Sequence, residues 1–513
     1  MSRLVRAASA ISGLTLLSRV FGLWRDSLMA AALGAGAVSD TFFLAWAFPN
    51  LMRRLLGEGA LSASFVPAYT AARKQGEVHG NDLLRRVLGA VLAILLPLTA
   101  LVIICSVVGS MVSDESEGRG GLLLELNAIL FPYTIPICVT AMLSGALNTR
   151  GSFALPAAVP VVLNIVWIAA LYVAEPLGFV GDEATAKFLS WSLCVGGFLQ
   201  LALVVVPLLK MRALPRPTIG WPAAATPARA VFTAMAPTAL GMSMGQISTL
   251  IDQSMAYSLL GDGSNTYLYL ANRLLLFPHA LTALAVVVAV FPKLASDATE
   301  TDRATMRTTL DRSAAAMLFV TVPAAAGLFT LAEDVVAGLF VRHNFTSEDA
   351  AATTTTTRML LLGLPFLGLS QLYARAYYSL GLTKTPARIA AWLLLANVAL
   401  NALLIGAFGL GTEGLAAATS ACAVGNAALL ALCLRRHVPR AAVRRGLWLR
   451  NLVAAAAMCG AIWLARPAEA DSRMDVLLWR VAMPIGVGMG VYFLAHLMLR
   501  SEELRLLRRK PRV

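Results

Sequence analysis

Arginine side chains lie inside the long apolar segments of this chain, where charge is costly. Arg19 and Arg25 lie in the first segment, Arg53 in the second and Arg273 in a later one. On insertion scales a charge at the centre of a membrane helix costs about 2.5–3.5 kcal/mol, so each arginine needs a polar cavity or a partner. Guanidinium groups bind phosphate and carboxylate through paired hydrogen bonds. A cavity lined by these arginines would suit a diphosphate or an acidic peptide.

The first segment also contains a carboxylate. Asp26 follows Arg19 by seven residues, which places the two side chains on nearly the same face of a helix, whereas Arg25 is expected to point elsewhere. Gly22 lies between them and would permit a local bend.

The second segment begins at Asp40 and continues past Pro49. Glu58 follows Arg54 by four residues, a spacing that predicts a pair within one helix. Such a pair would neutralise Arg54 and leave Arg53 for a ligand. The structural alternative is that all these charges form ion pairs that only hold helices together.

The composition shows what must position these side chains. Of 513 residues, 58% are hydrophobic and 14% charged, and the mean hydropathy is +0.73. A soluble domain has about a quarter of its residues charged. Apolar runs such as 87–112 and 155–173 match a hydrocarbon core of about 30 Å. The sequence therefore predicts an all-α polytopic membrane protein, without the alternation typical of a membrane barrel.

About fourteen helices are predicted, which places both termini on one side of the membrane. Basic residues concentrate in the segments on that side, among them Arg73, Lys74, Arg85, Arg86, Lys210, Arg212, Arg435, Arg436, Arg508 and Arg509. The opposite segments hold Arg119, Lys187, Arg342, Arg466 and Arg473 and are otherwise acidic. By the positive-inside rule both termini are cytoplasmic. The net charge of +14 thus reflects topology, and no nucleic-acid partner is expected.

Two halves of the chain resemble each other in order. Phe65-Val66-Pro67 has a counterpart in Val290-Phe291-Pro292, and Asn164 has one in Asn397. This predicts two parallel six-helix repeats around a central cavity, a common transporter design. The N-terminal lobe would comprise residues 1–212, the cytoplasmic linker 213–228 and the C-terminal lobe 229–437, followed by two further helices and a basic tail at 438–513. The alternative is a likeness produced by composition alone.

Several motifs resemble one family closely. Ser18-Arg19-Val20-Phe21-Gly22-Leu23-Trp24-Arg25-Asp26 is similar to the first-helix signature of the MurJ/MviN lipid II flippases. Asp40-Thr41-Phe42-Phe43, Phe48-Pro49-Asn50-Leu51-Met52-Arg53-Arg54 and Gly57-Glu58-Gly59-Ala60 resemble its second helix, and Lys384-Thr385-Pro386 adds a later match. The resemblance covers essentially the whole chain.

The resemblance implies the fold of the multidrug/oligosaccharidyl-lipid/polysaccharide exporter superfamily and a role in peptidoglycan synthesis. The expected activity is the flipping of lipid II, the undecaprenyl-diphosphate-linked precursor, from the cytoplasmic to the periplasmic leaflet of the inner membrane. The substrate-binding set that it implies is Arg19, Arg25, Asp26, Asp40, Arg53, Glu58 and Arg273. The last two helices would hold the polyprenyl tail. Asn272 departs from the family, in which many members carry an acidic residue there.

Other functions remain open from the residues alone. A flippase for another polyprenyl-diphosphate-linked oligosaccharide fits the same charges, whereas a cation-exporting drug antiporter does not. A membrane enzyme acting on polyprenyl diphosphates would need an Asp-rich metal cluster, and the sequence has no DxD-type cluster. No Gly-Lys pair is present, so no Walker A loop exists and no cofactor or metal is expected. Membrane lipids, a coupling ion of unknown identity and the cell wall synthesis machinery complete the expected partners.

Overall fold

The computed structural model describes residues 3–54, 60–112, 118–224, 226–299, 303–438, 445–467 and 475–501. Within them the chain is helical and forms no β-strand, which confirms the predicted all-α class. The first half contains α1 (Arg3–Leu33), α2 (Ala37–Met52), α3 (Ala60–Gln75), α4 (Glu77–Val112), α5 (Arg119–Leu130), α6 (Thr134–Thr149), α7 (Ala154–Val173), α8 (Asp182–Lys210) and α9 (Pro227–Leu259).

The second half contains α10 (Ser264–Asp297), α11 (Ala304–Phe340), α12 (Ser347–Leu361), α13 (Leu364–Ser379), α14 (Lys384–Gly406), α15 (Thr412–Leu434), α16 (Arg445–Ala465), a π-helix π1 (Val476–Ala482) and α17 (Met483–Met498). Two long helical stretches, Arg119–Thr149 and Ser347–Ser379, are thus each divided into a pair of helices. A 3-10 turn at Phe131–Tyr133, which contains Pro132, separates α5 from α6. Gly363 and Pro365 lie where α12 gives way to α13.

Ten helical segments of the described residues are long and apolar enough to cross a membrane. Two of them, Arg119–Thr149 and Ser347–Ser379, each comprise one of the divided pairs. The total of fourteen membrane helices stays a prediction.

The helices group into two compact units, unit 1 (Met1–Thr266) and unit 2 (Tyr267–Val513). In unit 1, α1 packs along α7, and α9 packs on α2 and α3. In unit 2, α11 packs against α12, α13 and α16, and α16 pairs with α17. The predicted lobe boundaries at 212, 229 and 437 stay a prediction.

Candidate functional site

Arg25 on α1 is buried in a polar cluster with α7, with 4% of its side chain exposed. Its Nη2 lies 2.6 Å from Asp26 Oδ1, and its Nε donates to the same oxygen at 3.0 Å. Nη1 donates to Asn164 Oδ1 at 3.1 Å. The guanidinium carbon lies 4.3 Å from the centre of the Trp167 ring, within the range of a cation–π contact. The charge of Arg25 is therefore compensated inside the helix pair.

The expectation that Arg25 points away from Asp26 is wrong. Neighbouring positions on a helix do not face each other, but an arginine side chain is long enough to turn back to the next residue. Here Asn164 and Trp167 on α7 hold the guanidinium in that position. The tertiary contacts, which helical spacing cannot reveal, decide the direction.

Asn164 joins α7 to α1 through two hydrogen bonds. Besides accepting from Arg25, its Nδ2 donates to the Ser18 carbonyl oxygen at 2.9 Å. A Cβ atom placed on Gly22 would lie 3.9 Å from that Nδ2, and α1 runs through Gly22 as one continuous helix. From the sequence, Asn164 is predicted only to be the counterpart of Asn397 in the internal repeat. A single amide within an apolar run was the available signal, because a buried amide needs hydrogen-bond partners.

Arg19, one and a half turns before Arg25, lies in a different environment. Its side chain is half-buried, and it forms no ion pair or hydrogen bond with any residue that the structure describes. The two arginines of the first helix are therefore not equivalent. Arg25 is held by Asp26, Asn164 and Trp167, whereas Arg19 has no such contact with the residues that the structure describes.

Asp40 lies in a second buried cluster, where α2 and α10 begin. Its side chain is fully buried, and its carboxylate accepts from the backbone N–H groups of Gly263 at 2.9 Å and Thr266 at 2.8 Å. The Thr266 hydroxyl adds a bond of 2.7 Å, and Asn265 Nδ2 donates to the Asp40 carbonyl oxygen. Asp40 thus satisfies the unpaired N–H groups in the first turn of α10, as a capping residue does.

Arg119, at the start of α5, connects Asp40 to Asp262, which precedes α10, and to Tyr257 on α9. Its Nη2 lies 3.6 Å from Asp40, and its Nη1 lies 2.7 Å from Asp262. Its guanidinium lies 4.5 Å from the Tyr257 ring centre, and the Tyr257 hydroxyl donates to the Arg119 carbonyl oxygen at 2.8 Å. We call the group of Asp40, Arg119, Asp262 and Thr266 the Asp40 cluster. All its segments belong to the predicted periplasmic side.

Arg53 and Arg54, at the end of α2, have other partners in unit 1. Arg53 bonds to Asn50 Oδ1 through Nε at 3.3 Å and Nη2 at 3.0 Å, and Arg54 donates to Gln246 on α9. Glu58, and with it the predicted pair with Arg54, lies outside the described residues. That these positions share one substrate site stays a prediction.

Arg273 lies on α10 in unit 2. Its Nε donates to the Tyr269 hydroxyl at 3.2 Å, one helical turn earlier, and its guanidinium lies 5.2 Å from the same ring. The neighbouring Asn272 bonds to the Leu268 carbonyl oxygen of its own helix. A tyrosine ring contributes a cation–π contact to Arg273 without adding a negative charge.

A third charged group lies at the other end of unit 1. Glu77, at the start of α4, lies 2.7 Å from Arg73 and 2.7 Å from Arg150. Arg150 also donates to the Tyr69 hydroxyl at 3.0 Å, and Arg73 donates to the Thr149 carbonyl oxygen. Burial acts to lower the pKa of Arg150, but its bonds to Tyr69 and Glu77 outweigh that effect and raise the pKa. We call this group the Glu77 cluster.

Comparison with known proteins assigns this chain to one family. Residues 29–472 match the family model described as lipid II flippase MurJ. A probable lipid II flippase MurJ from Vibrio cholerae is 32% identical, over 98% of this chain and 97% of its own. The lipid II flippase MurJ of Burkholderia cenocepacia is 32% identical, over 85% and 84% of the two chains.

The solved structures agree. A lipid II flippase MurJ in an inward closed conformation superposes with a TM-score of 0.77 at 26% identity, and the match covers 97% of this chain and 99% of that one. An inward-facing multidrug resistance transporter of the MATE family reaches a TM-score of 0.66 at 14% identity, which shows a shared fold.

Proposed function

Because this chain belongs to the lipid II flippase MurJ family, we propose that it moves lipid II from the cytoplasmic to the periplasmic leaflet for cell wall synthesis. It is a transporter rather than an enzyme, and a multi-pass protein of the bacterial inner membrane. Both termini are proposed to lie in the cytoplasm, since the basic residues concentrate on their side.

The observation that carries the site assignment is the difference between Arg19 and Arg25. A buried arginine paired with a carboxylate contributes little net charge, whereas a charged arginine within a membrane helix is costly unless it has a partner or a polar cavity. Arg19 is therefore the first contact for the diphosphate, because it has no partner among the described residues. Arg53 and Arg273 supply further cations, and Arg25 joins them only by exchanging Asp26 for the substrate.

Asp40 has a different role in this proposal. Its carboxylate already accepts from several donors, so a bound anion would gain nothing from it. We assign it to a gate that keeps the predicted periplasmic side closed while the substrate enters from the cytoplasm. Alternating access would then require the Asp40 cluster to open. The proposed energy source is the membrane potential, an ion gradient or consumption of the substrate on the far side of the membrane.

The test replaces Arg19 by Ala in the full-length protein, reconstituted in vesicles with labelled lipid II. A hydrogen bond to a charged group contributes about 1.5–3 kcal/mol, so lipid II binding should weaken roughly 10- to 100-fold and translocation should fall with it. Arg19→Lys should recover part of the loss. Arg86→Ala is the matched control, because Arg86 pairs with Asp82 on the exposed part of α4.

Growth of a flippase-depleted strain supplies the second measurement. Normal growth with both Arg19 and Arg25 replaced by Ala would overturn the substrate site. Equal translocation of lipid II and of a polyprenyl-diphosphate-linked oligosaccharide with another head group would widen the substrate class instead. Chemical alteration of the lipid during the assay would contradict the assignment as a transporter.

A further inference from the structure

Asp334, near the end of α11 in unit 2, connects the two C-terminal helices. It is almost fully buried, with 2% of its side chain exposed. Arg466, which directly follows α16, approaches both carboxylate oxygens at 2.7 Å through Nη2 and Nε. Arg480, in π1 just before α17, places Nη1 3.5 Å from the same carboxylate. One carboxylate therefore receives one guanidinium from each helix of the C-terminal pair.

The local backbone supports this arrangement. Arg480 Nε donates to the Pro467 carbonyl oxygen at 3.1 Å, which links the end of α16 directly to π1. A Cβ atom on Gly338 of α11 would lie 2.8 Å from a methyl carbon of Leu477, so α11 and π1 are in close contact. The π-helical stretch that contains Arg480 is a rare geometry, often found at functional positions.

The other end of the helix pair is held without ion pairs among the described residues. The Tyr492 hydroxyl of α17 lies 2.9 Å from the Phe319 carbonyl oxygen of α11 and 2.9 Å from the Asn451 amide oxygen of α16. Between the two ends, Gly488 of α17 lies close to Ile462 of α16. Among the described residues, Asp334 is therefore the centre of the charged contacts at its end of the pair.

We propose that Asp334 is a positioning residue that sets the separation of α16 and α17 at the predicted periplasmic end, and that this separation determines which polyprenyl chain lengths the protein accepts. The second half rests on the proposed function, because lipid II supplies the polyprenyl tail. Both helices expose large apolar side chains, including Leu452, Trp463, Met489 and Leu494, as a surface for a long hydrocarbon chain requires. Without Asp334 the two guanidiniums would repel each other and the helices would separate there.

The experiment uses the full chain in vesicles and the variants Asp334→Asn and Asp334→Glu. Translocation is measured for two lipid II analogues, one with the undecaprenyl tail and one with a farnesyl tail. Glu333→Gln is the matched control, because Glu333 is 63% exposed and lies 3.9–4.0 Å from Arg358 and Arg466. Spin labels at Leu464 and Leu478, in a background without native cysteines, report the distance between the two helix ends.

For Asp334→Asn we expect a longer and broader distribution of label distances, since an unpaired buried charge is strongly unfavourable. Transport of the undecaprenyl analogue should fall about tenfold or more. Transport of the farnesyl analogue should change less than about twofold. Asp334→Glu should restore the distance and the preference. An unchanged distance, or an equal loss for both tails, would overturn the proposal. If Asp334→Asn does not fold, Asp334→Asn combined with Arg466→Gln, which leaves only one of the two facing guanidiniums, should restore folding. The label distance in that double variant should still be longer than in the wild type, and an unchanged distance would overturn the proposal. A wild-type protein that moves neither analogue would refute the proposed function, and the label distance would still decide whether Asp334 positions the helices.

Discussion

The two ends of unit 1 are held by charged clusters of opposite character. At the predicted periplasmic end, Asp40 is 0% exposed and bonds to backbone N–H groups of a segment more than two hundred residues away. At the predicted cytoplasmic end, Glu77 is 55% exposed and pairs with the side chains of Arg73, four residues earlier, and Arg150, at the end of α6. Buried, saturated carboxylates are costly to disrupt, whereas exposed pairs contribute little. The difference suggests a firmly closed end and a readily adjustable one, as entry from the cytoplasm would require.

Among the substitutions that test this comparison, Asp40→Ala should destabilise the protein most. The N–H groups of Gly263 and Thr266 and the guanidinium of Arg119 would lose a buried acceptor, at about 1–3 kcal/mol for each unsatisfied group. We expect a lower melting temperature in detergent and loss of complementation in a flippase-depleted strain.

Asp262→Ala is the control for that variant. Asp262 binds the same Arg119 but is 58% exposed, so its loss should leave complementation intact. An equal loss of complementation in Asp262→Ala and Asp40→Ala would mean that burial does not distinguish these carboxylates.

Replacing Arg119 by Gln should have an intermediate effect. The variant removes the ion pairs with Asp40 and Asp262 and the contact with Tyr257 but leaves the backbone donors on Asp40 in place. The loss should be about 1–2 kcal/mol, smaller than for Asp40→Ala. Thermal unfolding of both variants in the same detergent checks the order. A larger loss for Arg119→Gln would show that the cation, rather than the backbone donors, stabilises Asp40.

Replacing Glu77 by Gln should have the smallest effect. Its ion pairs with Arg73 and Arg150 are partly exposed, and such pairs contribute about 0–1 kcal/mol. Lipid II transport in vesicles should stay within about twofold of wild type, and the small difference in melting temperature should shrink as salt screens the pairs. A loss of transport as large as that of Asp40→Ala would break the comparison between the two ends.

The helices could be predicted from the sequence more accurately than the contacts between their side chains. Apolar runs and basic loops located the helices, because lipid demands about twenty apolar residues per span. The division between α12 and α13 was not predicted, although Gly363 and Pro365 mark it. Helix spacing also misplaced Arg25, since its direction depends on Asn164 and Trp167 more than 130 residues later.

The candidate site could be predicted by residue type but not by partner. The cost of charge in lipid singled out Arg19, Arg25 and Arg273 from sequence alone. Sequence could not reveal that Asp40 accepts from Gly263 and Thr266, because backbone N–H groups leave no trace in residue type. Asp334 was overlooked for a related reason. Its position near a helix end resembled that of any loop acid, and only packing buries it.

The bonds of Asp40 to main-chain donors have a genetic consequence. Any residue other than proline at position 266 still carries an N–H group, so most substitutions there leave this donor in place, whereas position 263 has a φ of 90° that favours glycine. The carboxylate, in contrast, is present only when residue 40 is an acid. A suppressor screen starting from Asp40→Ala should therefore yield few compensating changes in the first turn of α10. Revertants should instead restore an acid at position 40 or arise in helices that alter the balance between the open and closed forms.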